Sequence, residues 1–125
     1  MICYSNEEGF IRPQGIKFRP NQNPNIILPE VAIGVFSRHL FENIIQEFSC
    51  QEVGYLSCAN FERNVYVLEY QGIKITFFMA GVGAPLLSGD IEELARQGVN
   101  KFIIFGNCGV LDNNIPDCSI IIPTK

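Results

Sequence analysis

The apolar positions of this chain fall into two rhythms, one of strands and one of helices. Val31-Ala-Ile-Gly-Val-Phe36 is apolar without a break, the pattern of a strand buried on both faces. Ser37 is a suitable N-cap, and beyond it Leu40, Phe41, Ile44, Ile45 and Phe48 recur at helical spacing together with Phe36, while Arg38, His39, Glu42 and Gln46 turn mostly outward. Residues 51–59 and 64–70 read as two further strands. In the second, Val65, Val67 and Glu69 alternate with Tyr66, Leu68 and Tyr70. Gln71-Gly72 is a tight turn into an apolar run at 73–79, which predicts a hairpin. A helix to Gly98 follows, with Leu87, Ile91, Leu94 and Ala95 on its apolar side and Asp90, Glu92, Glu93 and Arg96 on its outer side. Residues 101–105 and 118–122 are the last two predicted strands, separated by a polar turn. The pattern predicts an α/β fold with a mixed central sheet and flanking helices.

The stretch from 73 to 111 organises the rest. Its order is strand, glycine loop, helix, strand, glycine loop, which is a βαβ unit with parallel strands. If the two strands are neighbours, their carboxyl ends lie roughly 5 Å apart and both loops open on one edge. That edge is where open α/β sheets bind ligands. Gly81 and Gly83 can take positive φ and let backbone approach a ligand, and Pro85 suits the first turn of a helix. The helix start keeps capacity for an anion or a polar group. A tight turn with no ligand is the plain alternative for these glycines.

Composition narrows the classes. At 125 residues the chain fits one domain, and 47% hydrophobic against 18% charged residues is apolar enough that part of the surface is expected to meet a partner. A net charge of −4 argues against nucleic acid and against a basic membrane patch. No apolar run reaches the roughly 20 residues of a membrane span. Met1-Ile-Cys-Tyr-Ser-Asn-Glu-Glu8 lacks the pattern of a signal peptide, so a cytoplasmic protein is expected. Five cysteines without CxxC spacing and one histidine, His39, do not make a metal site. Cys50, Cys58 and Cys118 read as small core residues. Residues 1–29 hold four of the seven prolines and read as an irregular arm, tethered through Ile26, Ile27 and Leu28.

Met79-Ala-Gly-Val-Gly-Ala-Pro85, the helix ending in Gly98-Val-Asn-Lys101, Phe102-Ile-Ile-Phe-Gly-Asn-Cys-Gly-Val-Leu111 and Asp117-Cys-Ser-Ile-Ile-Ile-Pro-Thr124 together resemble the nucleoside phosphorylase family, which includes purine nucleoside and uridine phosphorylases and related nucleosidases. The likeness is strong from about 66 to 124 and collinear from 31. It implies an α/β sandwich around a mixed sheet, and cleavage of the N-glycosidic bond of a nucleoside by phosphate or, in the nucleosidases, by water. It places Gly81, Val82 and Gly83 near ribose and phosphate, and Asn107, Cys108 and Gly109 where phosphate and base are touched. No cofactor is implied beyond inorganic phosphate as co-substrate; the implied ligand is a nucleoside or its purine or pyrimidine base.

Three departures qualify the likeness. Many phosphorylases carry a phosphate-binding arginine two residues before the glycine of the second loop, where this chain has Ile104, which offers neither charge nor donors. The family's first phosphate loop, glycine-aspartate-proline followed by arginine, is replaced by Gly34-Val-Phe-Ser-Arg38, leaving Arg38 as the candidate phosphate-binding residue. Residues 30–125 correspond to the N-terminal half of the family domain only, so no catalytic acid or base-selecting residue is identified; Asp112 and Asp117 read as turn formers. A truncated domain of this kind is expected to form homo-oligomers or to pair with another chain. Hydrolysis, or nucleoside binding without catalysis, stands as the alternative. A dinucleotide-binding reading of Gly81-Val-Gly83 is disfavoured, because Leu86 holds the third glycine position and no acidic residue lies at 101–104.

Overall fold

A computed structural model describes residues 12–124. Its elements are β1 (Val31–Val35), α1 (Arg38–Glu47), β2 (Gln51–Ser57), β3 (Glu62–Tyr70), β4 (Ile73–Met79), α2 (Ala84–Arg96) and β5 (Lys101–Phe105). They form a single mixed sheet in the order β2-β3-β4-β1-β5. The first three strands are antiparallel neighbours, and β1 pairs in parallel with both β4 and β5. The β3–β4 hairpin turns on Gln71 (φ 50°) and Gly72 (φ 78°), the two positive φ values that a two-residue hairpin loop requires.

The predicted βαβ unit is present, but its strands are not neighbours. β1 lies between β4 and β5, so their carboxyl ends are two strand spacings apart, about 9.5 Å. Local sequence cannot reveal this insertion, since any apolar strand can occupy the middle. All three parallel strands still end on one edge of the sheet.

Each face of the sheet has its own core. On one face α1 presents Leu40, Phe41, Ile44 and Ile45 to Val35, Leu68 and Phe77, with Phe41 stacked on Phe77 at 5.1 Å between ring centroids. Ser37 caps α1 as expected, its Oγ accepting the Leu40 N–H at 3.3 Å. Phe36 departs from the predicted helix face and joins the opposite core instead. That core gathers Ala32, Val65, Phe78 and Leu94 beneath α2, with Ile16 and Leu28 of the N-terminal segment. A bulge between Glu52 and Gly54 resets the alternation of β2, so that Val53 and Leu56 both join the α2 core.

Of the arm predicted at 1–29, residues 1–11 lie outside the described residues. Residues 12–29 are irregular apart from one bridge, Lys17 to Tyr55. They lie along the sheet and α2 through specific bonds. Glu93 Oε2 accepts the N–H groups of Gln14 and Gly15 at 3.0 and 2.6 Å, and Gln97 Nε2 donates to the Ile26 carbonyl at 2.6 Å. A Cβ on Gly54 would meet Ile16 Cδ1 at 2.6 Å, so glycine there lets this segment approach the strand.

The strand predicted at 118–122 does not form. Among the described residues nothing pairs with it, Cys118 has φ 62°, and Ile120 and Ile122 are 83% and 78% exposed. Cys118 is therefore an exposed free thiol rather than a core residue, whereas Cys50 and Cys58 are half-buried.

Candidate functional site

The carboxyl ends of β4, β1 and β5 build one rim. The end of β4 is tied to the end of β1 by the Ala80 N–H, which donates to the Val35 carbonyl at 2.9 Å. Phe36 links all three loops. It lines a cleft with Ala80, Gly81 and Val82, and a Cβ on Gly106 would meet its ring at 2.9 Å. This cleft has a volume of about 520 Å³ and is walled by Phe36, Arg38, Phe61, Arg63, Met79, Gly81, Val82 and Leu86. A second cleft of about 360 Å³ adjoins it between α1 and β3, sharing Arg38, Glu62, Arg63 and Met79.

The glycine loop meets this cleft with two different glycines. Gly83 sits at φ 101°, ψ 144° as the N-cap of α2, a conformation that disfavours any side chain. Gly81 is needed for packing, because a Cβ there would fall against Leu86 and lie 3.0 Å from Asp90 Oδ2. Among the described residues no side chain caps α2, and its first turn holds no acidic residue. Among the described residues no acceptor takes the N–H of Val82 or Gly83. Free donors at a helix start, beside the exposed Arg38, suit a phosphate or a sugar hydroxyl.

Behind the loop lies a buried ion pair that the periodicity of the sequence alone did not single out. Asp90, assigned to the outer side of its helix, is 4% exposed and forms a two-pronged bridge with Arg63 of β3. Arg63 Nη1 donates to Asp90 Oδ2 at 2.5 Å, and Nη2 donates to Oδ1 at 2.7 Å. Nη1 also donates to the Met79 carbonyl at 3.1 Å, and Asp90 Oδ2 accepts the Gly81 N–H at 2.9 Å. Among the described residues the Arg63 Nε is buried without a partner, and the guanidinium lies 5.4 Å from the centroid of the Phe61 ring.

The predicted site residues come to this rim in unequal ways. Gly81 and Val82 line the larger cleft, Gly83 starts the helix beside it, and Arg38 borders both clefts. Arg38 has no ion-pair partner among the described residues. Asn107, Cys108 and Gly109 follow β5 at the same rim, are exposed, and line neither cleft. His39 contacts Asn43 on the surface of α1 at 3.2 Å. Ile104 is half-buried and packs into the α2 core. Among the described residues no group of three or more His, Cys, Asp or Glu could hold a metal ion.

No protein-family model matches the chain. Guanosine phosphorylase from Halorubrum lacusprofundi is 30% identical over 69 residues, which is 55% of this chain and 29% of that protein. The purine nucleoside phosphorylase of Toxoplasma gondii, solved with immucillin-H, superposes with a TM-score of 0.58 at 27% identity, covering 82% of this chain and 38% of that one. The uridine phosphorylase of Vibrio fischeri shares the fold, with a TM-score of 0.60 at 22% identity over 79% of this chain and 43% of the other. The chain thus spans less than half the length of each of these proteins. In the order of its motifs and in its sheet, this chain is similar to nucleoside phosphorylases over less than half of their length.

Proposed function

We propose that this chain supplies the sugar- and phosphate-facing part of a nucleoside phosphorylase site, which cleaves the N-glycosidic bond of a nucleoside by phosphate attack when completed by the rest of the family domain. The observation that carries the reading is the rim itself: uncapped N–H groups of Val82 and Gly83 beside the exposed Arg38, in a fold shared with a purine nucleoside phosphorylase. In such a reaction the protein holds sugar and nucleophile in line and balances charge in an oxocarbenium-like transition state. Ile104 is turned into the core, so in this reading Arg38 takes the charge-balancing part on phosphate, and Asn107–Gly109 close over the ligand from the β5 side. Phosphate is the co-substrate, and no cofactor enters.

Association belongs to the same proposal. β5 has only β1 as a neighbour among the described residues, and Ile103 and Phe105 on its outer face are 55% and 51% exposed. An open strand edge with apolar side chains seeks a partner, here a second copy or the rest of the domain. A strictly monomeric species at micromolar concentration by light scattering contradicts association of copies. The four free cysteines among the described residues fit a cytoplasmic setting; among the same residues no helix is long and apolar enough to cross a membrane.

The test is guanosine cleavage with and without phosphate by the chain joined to the rest of the family domain. Base release that requires phosphate supports the reading, and phosphate-independent release assigns the chain to hydrolysis. Guanosine binding with no turnover in either buffer makes it a binding module.

A further inference from the structure

The geometry points to Arg63 and Asp90 as positioning residues that set the glycine loop from behind and thereby tune ligand affinity at the rim; this rests on the function proposed above. Four facts combine. The pair is buried, at 2% and 4% side-chain exposure, although nothing in a sheet–helix contact requires charges there. Asp90 Oδ2 receives the Gly81 N–H, the donor that precedes the two free ones. Arg63 Nη1 holds the Met79 carbonyl, so the chain is gripped on both sides of Ala80 where it leaves β4. Gly81 itself has no room for a Cβ because Leu86 and Asp90 crowd it.

The consequence is a division of labour among the loop's donors. Gly81 N–H is buried and committed to Asp90, which fixes the Ala80–Gly81 peptide from which the next two donors follow. Val82 and Gly83 are left presented. Charge on Asp90 is balanced by Arg63 in place, so the clamp adds no net charge to the cleft. Without an acceptor at position 90, the Gly81 peptide is free to rotate, and binding would then have to order it again.

Two double variants separate the clamp from mere stability. Arg63→Met/Asp90→Asn removes the ion pair but keeps an oxygen that can accept the Gly81 N–H. Arg63→Met/Asp90→Leu removes both, and Arg63→Met/Asp90→Ala replaces it should the leucine variant fail to fold. Circular dichroism confirms folding, amide exchange reads Gly81, and calorimetric titration with guanosine reads affinity. In the leucine variant, Gly81 exchange should rise and guanosine affinity fall, each by roughly 2- to 10-fold, the usual net worth of one hydrogen bond. The asparagine variant, which loses the Arg63 contacts but keeps an acceptor for the Gly81 N–H, should fall between the leucine variant and the parent chain. Equal Gly81 exchange in the two variants, or unequal exchange with equal guanosine affinity, overturns the proposal. Should the parent chain take up no guanosine, the function proposed above fails by itself, and the exchange comparison at Gly81 alone decides for or against the clamp.

Discussion

Arg63 and Asp90, 27 residues apart in sequence, meet through two hydrogen bonds of 2.5 and 2.7 Å in the layer between the sheet and α2. Taking two charges out of water is costly, and removing one partner strands the other. Arg63→Ala or Asp90→Ala should therefore destabilise the fold by about 3–5 kcal/mol. Arg63→Met/Asp90→Leu should lose far less, because apolar residues of similar volume often replace a buried pair at little cost. Urea unfolding of the three variants checks this ordering.

The glycine loop predicts a contrast between two similar substitutions. At Gly83 nothing among the described residues lies within 4 Å of where a Cβ would stand, yet φ is 101°, so Gly83→Ala should cost roughly 1–3 kcal/mol through backbone strain alone. At Gly81 the obstacle is steric, against Leu86 and Asp90, and overpacking should cost about 1–3 kcal/mol by another route. Trimming Leu86 to alanine should relieve Gly81→Ala and leave Gly83→Ala unchanged. Thermal unfolding of the paired variants measures the coupling.

Much of this architecture is legible in the residues. Ser37 marks the start of α1, and Gln71-Gly72 marks the hairpin, because each is a local choice of backbone angle or cap. The ion pair was not legible from polarity, which puts Asp90 on the outer side of α2 and leaves Arg63 outside the strand predicted at 64–70. Asp90 stands three residues after Leu87 and four before Leu94, inside the apolar stripe of α2, and Arg63 shares the strand face of Val65 and Val67. Opposite charges at core-facing positions signal each other. Strand order was not legible, since β1 enters between β4 and β5 through pairings remote in sequence. Nor was the fate of Ile120–Ile122, whose β-branched run has the propensity for a strand but no neighbour among the described residues.

Thiol chemistry gives a reading of local burial. Burial pushes the Cys50 thiol up from its ordinary pKa, which leaves less thiolate at a given pH, while Cys108 and Cys118 are exposed. Alkylation at mildly alkaline pH, followed by peptide mass analysis, should label Cys108 and Cys118 first and Cys50 well after them. Raising the pH further should narrow the gap.

The start of β1 is joined to the start of β5 by Glu30 and Lys101, 2.7 Å apart. Hydrogen bonding and charge from Lys101 hold the Glu30 carboxyl below its ordinary pKa. A depressed carboxylate favours the fold above its unfolded pKa, and that contribution is lost as pH falls through the lower folded value. The pair is solvent-exposed, so the effect is small and weakens with salt. A carboxyl-carbon NMR titration should give Glu30 a lower midpoint in the parent chain than in Lys101→Ala, with the difference shrinking as salt is added.

In the proposed function the loops after β4, β1 and β5 act as one ligand-facing rim. Amide chemical-shift mapping of the ¹⁵N-labelled chain with guanosine and phosphate tests it most directly. Joint shifts at Val82–Ala84, at Arg38 and at Asn107–Gly109 are the predicted result. Shifts confined to the opposite edge of the sheet, around Glu30, Gly72 and Asn100, would contradict it.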